Sequence, residues 1–394
     1  MNYVFSCLSI FLCLIVFLSV IWIIFPAPAY YIWLYSVAVS EWSLWFSAVA
    51  ILGIFCAVAN YAIYKNGKVL ATAIIIGSIA FLISLYPLLT SLSVAREKNV
   101  GLSLSQYFNA IIGDKQGVNQ FQTRVFAHHG ETELKVDVYL PTNNSTRNGA
   151  SVIVIHGGSW SGGTRNDFPQ WNTWLAENGF TVFDIDYQLA PQPNYLSAIG
   201  DVKSAVRWVK KHSAEFNISP AKIVLLGRSA GAHLALIAAY SANDTRLPAT
   251  DLTNIETENV CAVVSFYAPT DLIWDYDNVA NQLVLDGPLM ISNFLGGNPH
   301  QSNEIRERYL LASPAERITA ETPPTLLIQG GKDQLVRVEN MTILADKLYA
   351  ANIMNQTLYI PYGQHGFDYN SNGWGSQITK SVMLKFLIEN TQNK

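Results

Sequence analysis

From Met1 to Ala95 the chain carries only three charged side chains, Glu41, Lys65 and Lys68. Three apolar runs fill this stretch, at about 4–25, 42–64 and 69–92. A helix needs about 20 apolar residues to cross a hydrocarbon core of about 30 Å, and each run is long enough. Such segments leave a folded chain few alternatives, and the sequence predicts three transmembrane helices within residues 1–95. Tyr30, Tyr31, Trp33, Tyr35, Trp42, Tyr61 and Tyr64 gather near the ends of the runs, where an interfacial aromatic belt belongs. The competing reading makes the first run a cleaved secretory signal with Ala27-Pro28-Ala29 as its cleavage site. No Lys or Arg precedes the run, and it exceeds the roughly 7–15 residues of a signal core, so the anchored reading is preferred. Lys65 and Lys68 flank a tight hairpin that the positive-inside rule places in the cytoplasm, which puts everything after the third span outside. Arg96 and Lys98 pull the other way, and Asn-x-Ser/Thr triplets at Asn144 and Asn217 fit the outer face. Residues 96–120, polar and with Gly101, Gly113 and Gly117 scattered among them, read as a linker containing one interfacial helix.

Residues 121–394 have a different character. The chain holds 25 basic and 29 acidic residues, nearly all of them beyond residue 95, so the body is mildly acidic and lacks the concentrated basic footprint of a nucleic-acid binder. Of the four cysteines only Cys261 lies here, which rules out a disulfide within the body. No Cys/His spacing resembles a zinc site, and His128-His129 reads as a pair of surface polar residues.

The most informative stretch is Ile223-Val224-Leu225-Leu226-Gly227-Arg228-Ser229-Ala230-Gly231. An apolar, β-branched run stops at Gly-x-Ser-x-Gly, and a small-residue helical pattern over 230–240 begins at once. This is a strand, a very tight turn and a helix, the setting in which a serine hydroxyl projects above a sheet from a strained backbone. Around it, residues 121–127 and 133–140 read as an antiparallel edge pair. The runs 151–155, 180–185, 260–267, 324–329 and 356–360 read as further strands. The run 151–155 is apolar without alternation, as expected of a strand buried on both faces. Helical patterns at 168–178, 198–212, 338–350 and 375–389 alternate with them, with Gly179 capping the first. This alternation implies a doubly wound, mostly parallel sheet. Residues 269–322 are too long for a simple connection and read as a lid-like insertion.

A serine hydroxyl needs a base to take its proton, an acid to hold that base, and donors for an oxyanion. Asp333 follows one predicted strand and His365 another, each just past the carboxyl end where open α/β sheets place their sites. Asp271 and Asp368 are rival acids. Gly157, Gly158 and Ala230 can offer backbone N–H groups to an oxyanion. Trp160 and Tyr187 are candidate pocket residues, while His156 and His233 read as structural.

His-Gly-Gly-x-Trp at 156–160, Asp186-Tyr187 followed by Leu189-Ala190-Pro191, Gly-x-Ser-Ala-Gly at 227–231, Asp333 and His365-Gly366 together resemble the α/β-hydrolase superfamily. Within it the chain is similar to hormone-sensitive-lipase-like and feruloyl-esterase-like carboxylesterases and to membrane prenylcysteine methylesterases. Ser159 stands where many lipase-like members carry a third glycine, and Gln188 where an arginine is common. The resemblance covers about 121–390 and leaves out the three apolar runs. It implies hydrolysis of a carboxylic ester through an acyl-enzyme, with Ser229, His365 and Asp333 as triad, no metal and no organic cofactor. A small-molecule or lipid ester is the implied substrate and a bilayer the implied partner; oligomeric state is not legible. Acyl transfer or deacetylation on an envelope glycan or lipid would use the same triad, and a catalytically silent binding ectodomain is the reading from another class. A prolyl-oligopeptidase-like peptidase would need propeller repeats, which the sequence lacks.

Overall fold

A computed structural model describes residues 2–112, 121–141, 147–189, 193–251 and 256–392. Asn144, Ala190, Pro191, Gly113 and Gly117, singled out above, lie outside the described residues. The chain opens with α1 (Asn2–Val20), α2 (Tyr30–Glu41), α3 (Ser43–Tyr64), α4 (Gly67–Lys98) and α5 (Leu104–Ile112). Ser6–Ile23, α3 and α4 are long and apolar enough to cross a membrane. They pack through small residues: Ala50, Ala57, Ala73 and Ala80 are buried, and a Cβ on Gly53 would sit 2.7 Å from Cys13 Sγ. Close backbone approach of this kind is how apolar helices associate where water supplies no driving force. Polar pairs add to it, Ser47 with Ser84 at 2.6 Å and Asn60 donating to Ser6 at 3.1 Å.

Residues 30–41, between the first two apolar runs, form a helix, α2. The linker begins later than expected, because α4 runs on to Lys98 and carries Arg96 and Lys98 in its last turn. That extension takes Val94 and Ala95 out of the apolar bundle and into the core of the C-terminal body, beside Trp374 and Phe367.

The body continues with β1 (Phe121–His129), β2 (Thr132–Tyr139), β3 (Ser151–Ile155), α6 (Pro169–Glu177), β4 (Thr181–Ile185), α7 (Tyr195–Lys211), β5 (Ile223–Arg228) and α8 (Ala230–Tyr240). Then come β6 (Ala262–Phe266), α9 (Leu272–Asp277), α10 (Gly287–Leu295), α11 (Asn303–Ala312), β7 (Thr325–Gly330), α12 (Glu339–Ala350), β8 (Asn355–Ile360) and α13 (Trp374–Gln392). The eight strands form one sheet in the order β1-β2-β4-β3-β5-β6-β7-β8. Only β2 runs against the others, pairing antiparallel with β1 on one side and β4 on the other, while the remaining neighbours are parallel. The insertion at 269–322 is helical, built from α9, α10 and α11.

His129 departs from its surface reading. Its Nε2 lies 2.6 Å from Asp201 Oδ1, which ties the edge strand to α7 and raises the imidazole's pKa through that hydrogen bond.

Because β3 pairs with β4 on one side and β5 on the other, the connections after β3 and β5 leave in opposite directions. The crevice this creates at the carboxyl ends of the strands is where open α/β sheets bind ligands. Ile155 is in register with Gly227, so the His156 loop and the Ser229 turn emerge side by side.

The junction between the helical bundle and the body rests on α5. Tyr107 is fully buried, stacks on Trp374 with centroids 4.3 Å apart, and accepts the Leu44 N–H at 3.2 Å. Tyr107→Ala is expected to lower stability by about 3–5 kcal/mol, the range for deleting a buried aromatic ring, measured by chemical denaturation of the detergent-solubilised chain. A loss below about 1 kcal/mol would show that the bundle and the body do not share a core there.

Candidate active site

The elbow is as tight as its glycines imply. Ser229 has φ 54° and ψ −121°, a strained conformation for a residue with a side chain. A Cβ on Gly227 would collide with the Gly231 carbonyl, and one on Gly231 with the His156 carbonyl. The Ser229 N–H donates to Phe266 O at 2.9 Å, which pins the turn to β6.

Opposite it, the loop after β3 is a succession of left-handed residues: Gly158 at φ 110°, Ser159 at 52° and Trp160 at 58°. Ser159 therefore adopts the conformation a glycine would hold without strain. The Ser161 and Gly162 N–H groups donate to Gly158 O at 3.0 and 2.9 Å and close the loop. A Cβ on Gly157 would lie 3.4 Å from Ser229 Cβ, so the two loops touch. Ala230 is the first residue of α8, where backbone N–H groups have no partner within the helix. Gly157, Gly158 and Ala230 all line the cavity that holds Ser229.

His365 lines the same cavity. Its Nδ1 lies 2.8 Å from Asp333 Oδ2, and Asp333 is itself saturated with donors. Gln329 Nε2 donates to Oδ2 at 3.0 Å, while the Leu335 and Val336 N–H groups donate to Oδ1 at 2.8 and 2.9 Å. The carboxylate thus cannot turn, and the imidazole presents its Nε2 away from it. Of the rival acids, Asp271 caps α9 by accepting the Trp274 N–H at 3.1 Å. Asp368 accepts from Arg228 Nε and from the Tyr267 hydroxyl, both at 2.6 Å.

Trp160 lines the cavity, stacked on Phe294 of α10 with centroids 4.6 Å apart. Tyr187 does not: its ring stacks under His156 at 4.3 Å and its hydroxyl donates to the His156 carbonyl at 3.3 Å. The expectation that Tyr187 borders substrate is corrected on that ground; it supports the loop from below. His156 Nδ1 meets the Gly157 carbonyl at 2.7 Å, and burial lowers its pKa, so the ring is a neutral loop support. Asp186, beside Tyr187, is paired with Arg165, which also reaches Asp137 at 3.1 Å.

The cavity of about 450 Å³ has walls that sequence reasoning missed. Tyr30 and Trp33 come from α2, Leu285, Met290 and Ile291 from the insertion, and Asp275 from α9. Burial pushes the Asp275 carboxyl up to about 8, with Asp271 and Asp333 adding to the rise, so it is largely neutral at neutral pH. No signal in the sequence marks these residues, because their common location is created by tertiary packing.

The family comparison identifies residues 136–348, more than half of the chain, with the BD-FAE family. The "probable carboxylic ester hydrolase LipM" of Mycobacterium tuberculosis is 29% identical over 68% of this chain and 62% of its own length. Esterase LipC of the same organism is 29% identical over 59% of this chain and 57% of its own length. The chain therefore spans about three-fifths of these curated relatives. Among solved structures, the propionate-bound esterase Est2 of Thermogutta terrifontis is similar with a TM-score of 0.58 and 23% identity, covering 70% of this chain and 96% of that one. At that identity the likeness establishes the α/β-hydrolase fold.

His233, fully buried in α8, accepts the Trp160 indole N–H at 3.1 Å and meets the Ala312 carbonyl at 2.8 Å through Nε2, so it joins the loop after β3 to the insertion. Burial depresses its pKa from 6.5 to about 4. Between those values the unfolded chain binds a proton that the native state refuses, so this group withdraws stability as pH falls. The stability difference between wild type and His233→Gln is expected to shrink from about pH 6.5 toward pH 4, read from denaturation midpoints. A difference that stays constant with pH would contradict a neutral native His233.

Proposed function

The chain belongs to the BD-FAE family of α/β-hydrolases, and on that premise we propose that it is a membrane-anchored serine carboxylesterase. The observation that carries this is the convergence of Ser229, at the apex of a strained turn, and His365, held by Asp333, on one largely apolar cavity. In this reading Ser229 Oγ attacks the ester carbonyl while His365 Nε2 takes its proton. The carbonyl oxygen becomes an oxyanion facing the Gly157, Gly158 and Ala230 N–H groups. Collapse expels the alcohol, which receives the proton from His365, and leaves an acyl-Ser229. Water then repeats the cycle: His365 accepts its proton, the hydroxide attacks the acyl carbon, and Ser229 recovers its hydrogen as the acid departs. Asp333 fixes the tautomer and stays ionised throughout.

The relatives named as esterases support the reaction class, and the three apolar helices support anchoring. The two lysines flanking the α3–α4 turn favour an extracytoplasmic body. Protease added to intact cells is expected to digest the body; full protection of the body would reverse that orientation.

Ser229→Ala is expected to lower hydrolysis of a short p-nitrophenyl ester by roughly 10³-fold or more, measured as kcat/KM. A variant that kept most of its activity would overturn the catalytic assignment.

A further inference from the structure

The unexpected wall of the cavity comes from the same unit as the apolar helices. Tyr30 and Trp33 of α2 share one cavity with Ser229 and His365. The approach of α2 to the catalytic loops is fixed by a polar chain just before it. The Ala27 N–H donates to Gln334 Oε1 at 2.7 Å, Asn281 Nδ2 donates to the Ala27 carbonyl at 2.8 Å, and Gln334 Nε2 donates to Gln364 Oε1 at 3.0 Å. Gln364 precedes His365, so the wall and the base are positioned through one set of bonds. Apolar packing completes the seat: Ala27, Trp33 and Val37 form a buried cluster with Val284, flanked by Ile32 and Leu335.

A second cleft of about 590 Å³ lies next to this cavity, sharing Ala280 and Arg337 with it, and is bordered by Ile24 and Phe25 at the end of the first apolar helix. Exposed apolar side chains border the second cleft, Phe25 at 57% and Leu283 at 70% exposure. The exposed faces of α1, α3 and α4 are apolar as well, among them Phe11, Leu18, Phe55, Ile63 and Leu82. Along the chain, this apolar unit leads through Phe25, at the second cleft, to Tyr30 and Trp33 in the wall of the catalytic cavity.

We propose, building on the esterase reading, that the substrate is a lipid-like ester whose long aliphatic chain lies against Tyr30 and Trp33, so that the membrane unit supplies the chain-binding wall of the active site. A purely tethering segment would have no reason to place two aromatic rings in the cavity of the nucleophile. An apolar wall rewards each methylene it removes from water by up to about fourfold in binding. A short acyl group such as acetate has no chain to lay against Tyr30 and Trp33 and gains little from them.

The experiment uses the full chain in detergent, with active sites counted by a fluorophosphonate so that kcat/KM is read per competent serine. The substrates are p-nitrophenyl acetate, p-nitrophenyl decanoate and decyl acetate, the last two carrying the chain on the acyl and the alcohol side. Wild type is expected to prefer at least one long-chain ester over p-nitrophenyl acetate. Trp33→Ala is expected to lower the ratio of kcat/KM on that ester to kcat/KM on p-nitrophenyl acetate about tenfold or more. Trp33→Phe should retain most of the preference. An unchanged ratio of long to short substrate in Trp33→Ala and Tyr30→Ala, or an equal fall on all three esters, overturns the chain-binding wall. If instead Ser229→Ala retains activity on every ester, it is the catalytic reading that fails, whatever the chain-length profile.

Discussion

The buried ion pair between Arg228 and Asp368 holds together the two loops on which the chemistry depends. Arg228 immediately precedes Ser229, and Asp368 follows His365 by one short turn. Their side chains meet at 2.6 Å with almost no exposure to water. Two charges taken out of water are tolerated only where the geometry is good and the remaining polar atoms find partners. Here the Tyr267 hydroxyl donates to the second oxygen of Asp368, and the Arg228 guanidinium lies over the rings of Phe168, Phe266 and Trp171 at 4.1, 4.8 and 5.2 Å. Tyr267 in turn packs its ring 4.3 Å from that of His365. Removing either partner would strand the other charge away from water, so the pair constrains the distance between the Ser229 and His365 loops. Asp368 was a fair candidate for the catalytic acid on chain position alone; the ion pair explains why it cannot also serve His365.

Helix α2 transmits a comparable constraint from the apolar bundle. One end places Tyr30 and Trp33 in the cavity. The other ends at Glu41, the one acidic side chain in the first 95 residues, which is buried at 1% exposure. Loss of water raises the Glu41 pKa well above the usual carboxylate range, opposed by a hydrogen bond with Tyr362 and reinforced by the charge of Asp368. The carboxyl is packed so closely on Gly373 that a Cβ there would collide with it. Burial thus disfavours the charged form of Glu41 beside the start of α13, and three residues after Glu41 the Leu44 N–H donates to Tyr107. The N-terminal helical unit is in this way joined to the body at both ends of α2, which is what a wall of defined position requires.

Most of the body was legible because its signals are local. The apolar runs at 151–155 and 223–226 have no other stable use than buried strands, and glycines at 227 and 231 announce a turn that admits no Cβ. Asp333 and His365 could be found because strand ends are visible in the sequence and the carboxyl edge of a parallel sheet is where sites form. What escaped was nonlocal. Residues 30–41 hold one charge, Glu41, and cluster aromatics, and nothing along the chain foretells their packing with Val284 and Leu335. Tyr187 was a candidate pocket residue, yet its ring stacks on His156 and its hydroxyl donates to the His156 carbonyl. His129 was read as exposed because nothing in its neighbourhood along the chain foretells Asp201, far away on α7.

Strain marks the site more sharply than composition does. Ser229 on one loop and Ser159 and Trp160 on the other all hold positive φ, although each carries a Cβ. Conformations of this kind persist only where surrounding structure over-determines them. The two loops emerge from adjacent strands, β3 and β5, in strict register, and each is locked against the other by glycines that cannot be replaced without collision. Arg228 and Asp368 then fix the serine loop to the histidine loop, while Trp160 and His233 fix the loop after β3 to the insertion. Every strained residue is thus bracketed by a buried contact that crosses to a different element. The cavity is thus framed on one side by the sheet and its ion pair, and on the other by α2 and the insertion, whose contribution is apolar bulk and not strain.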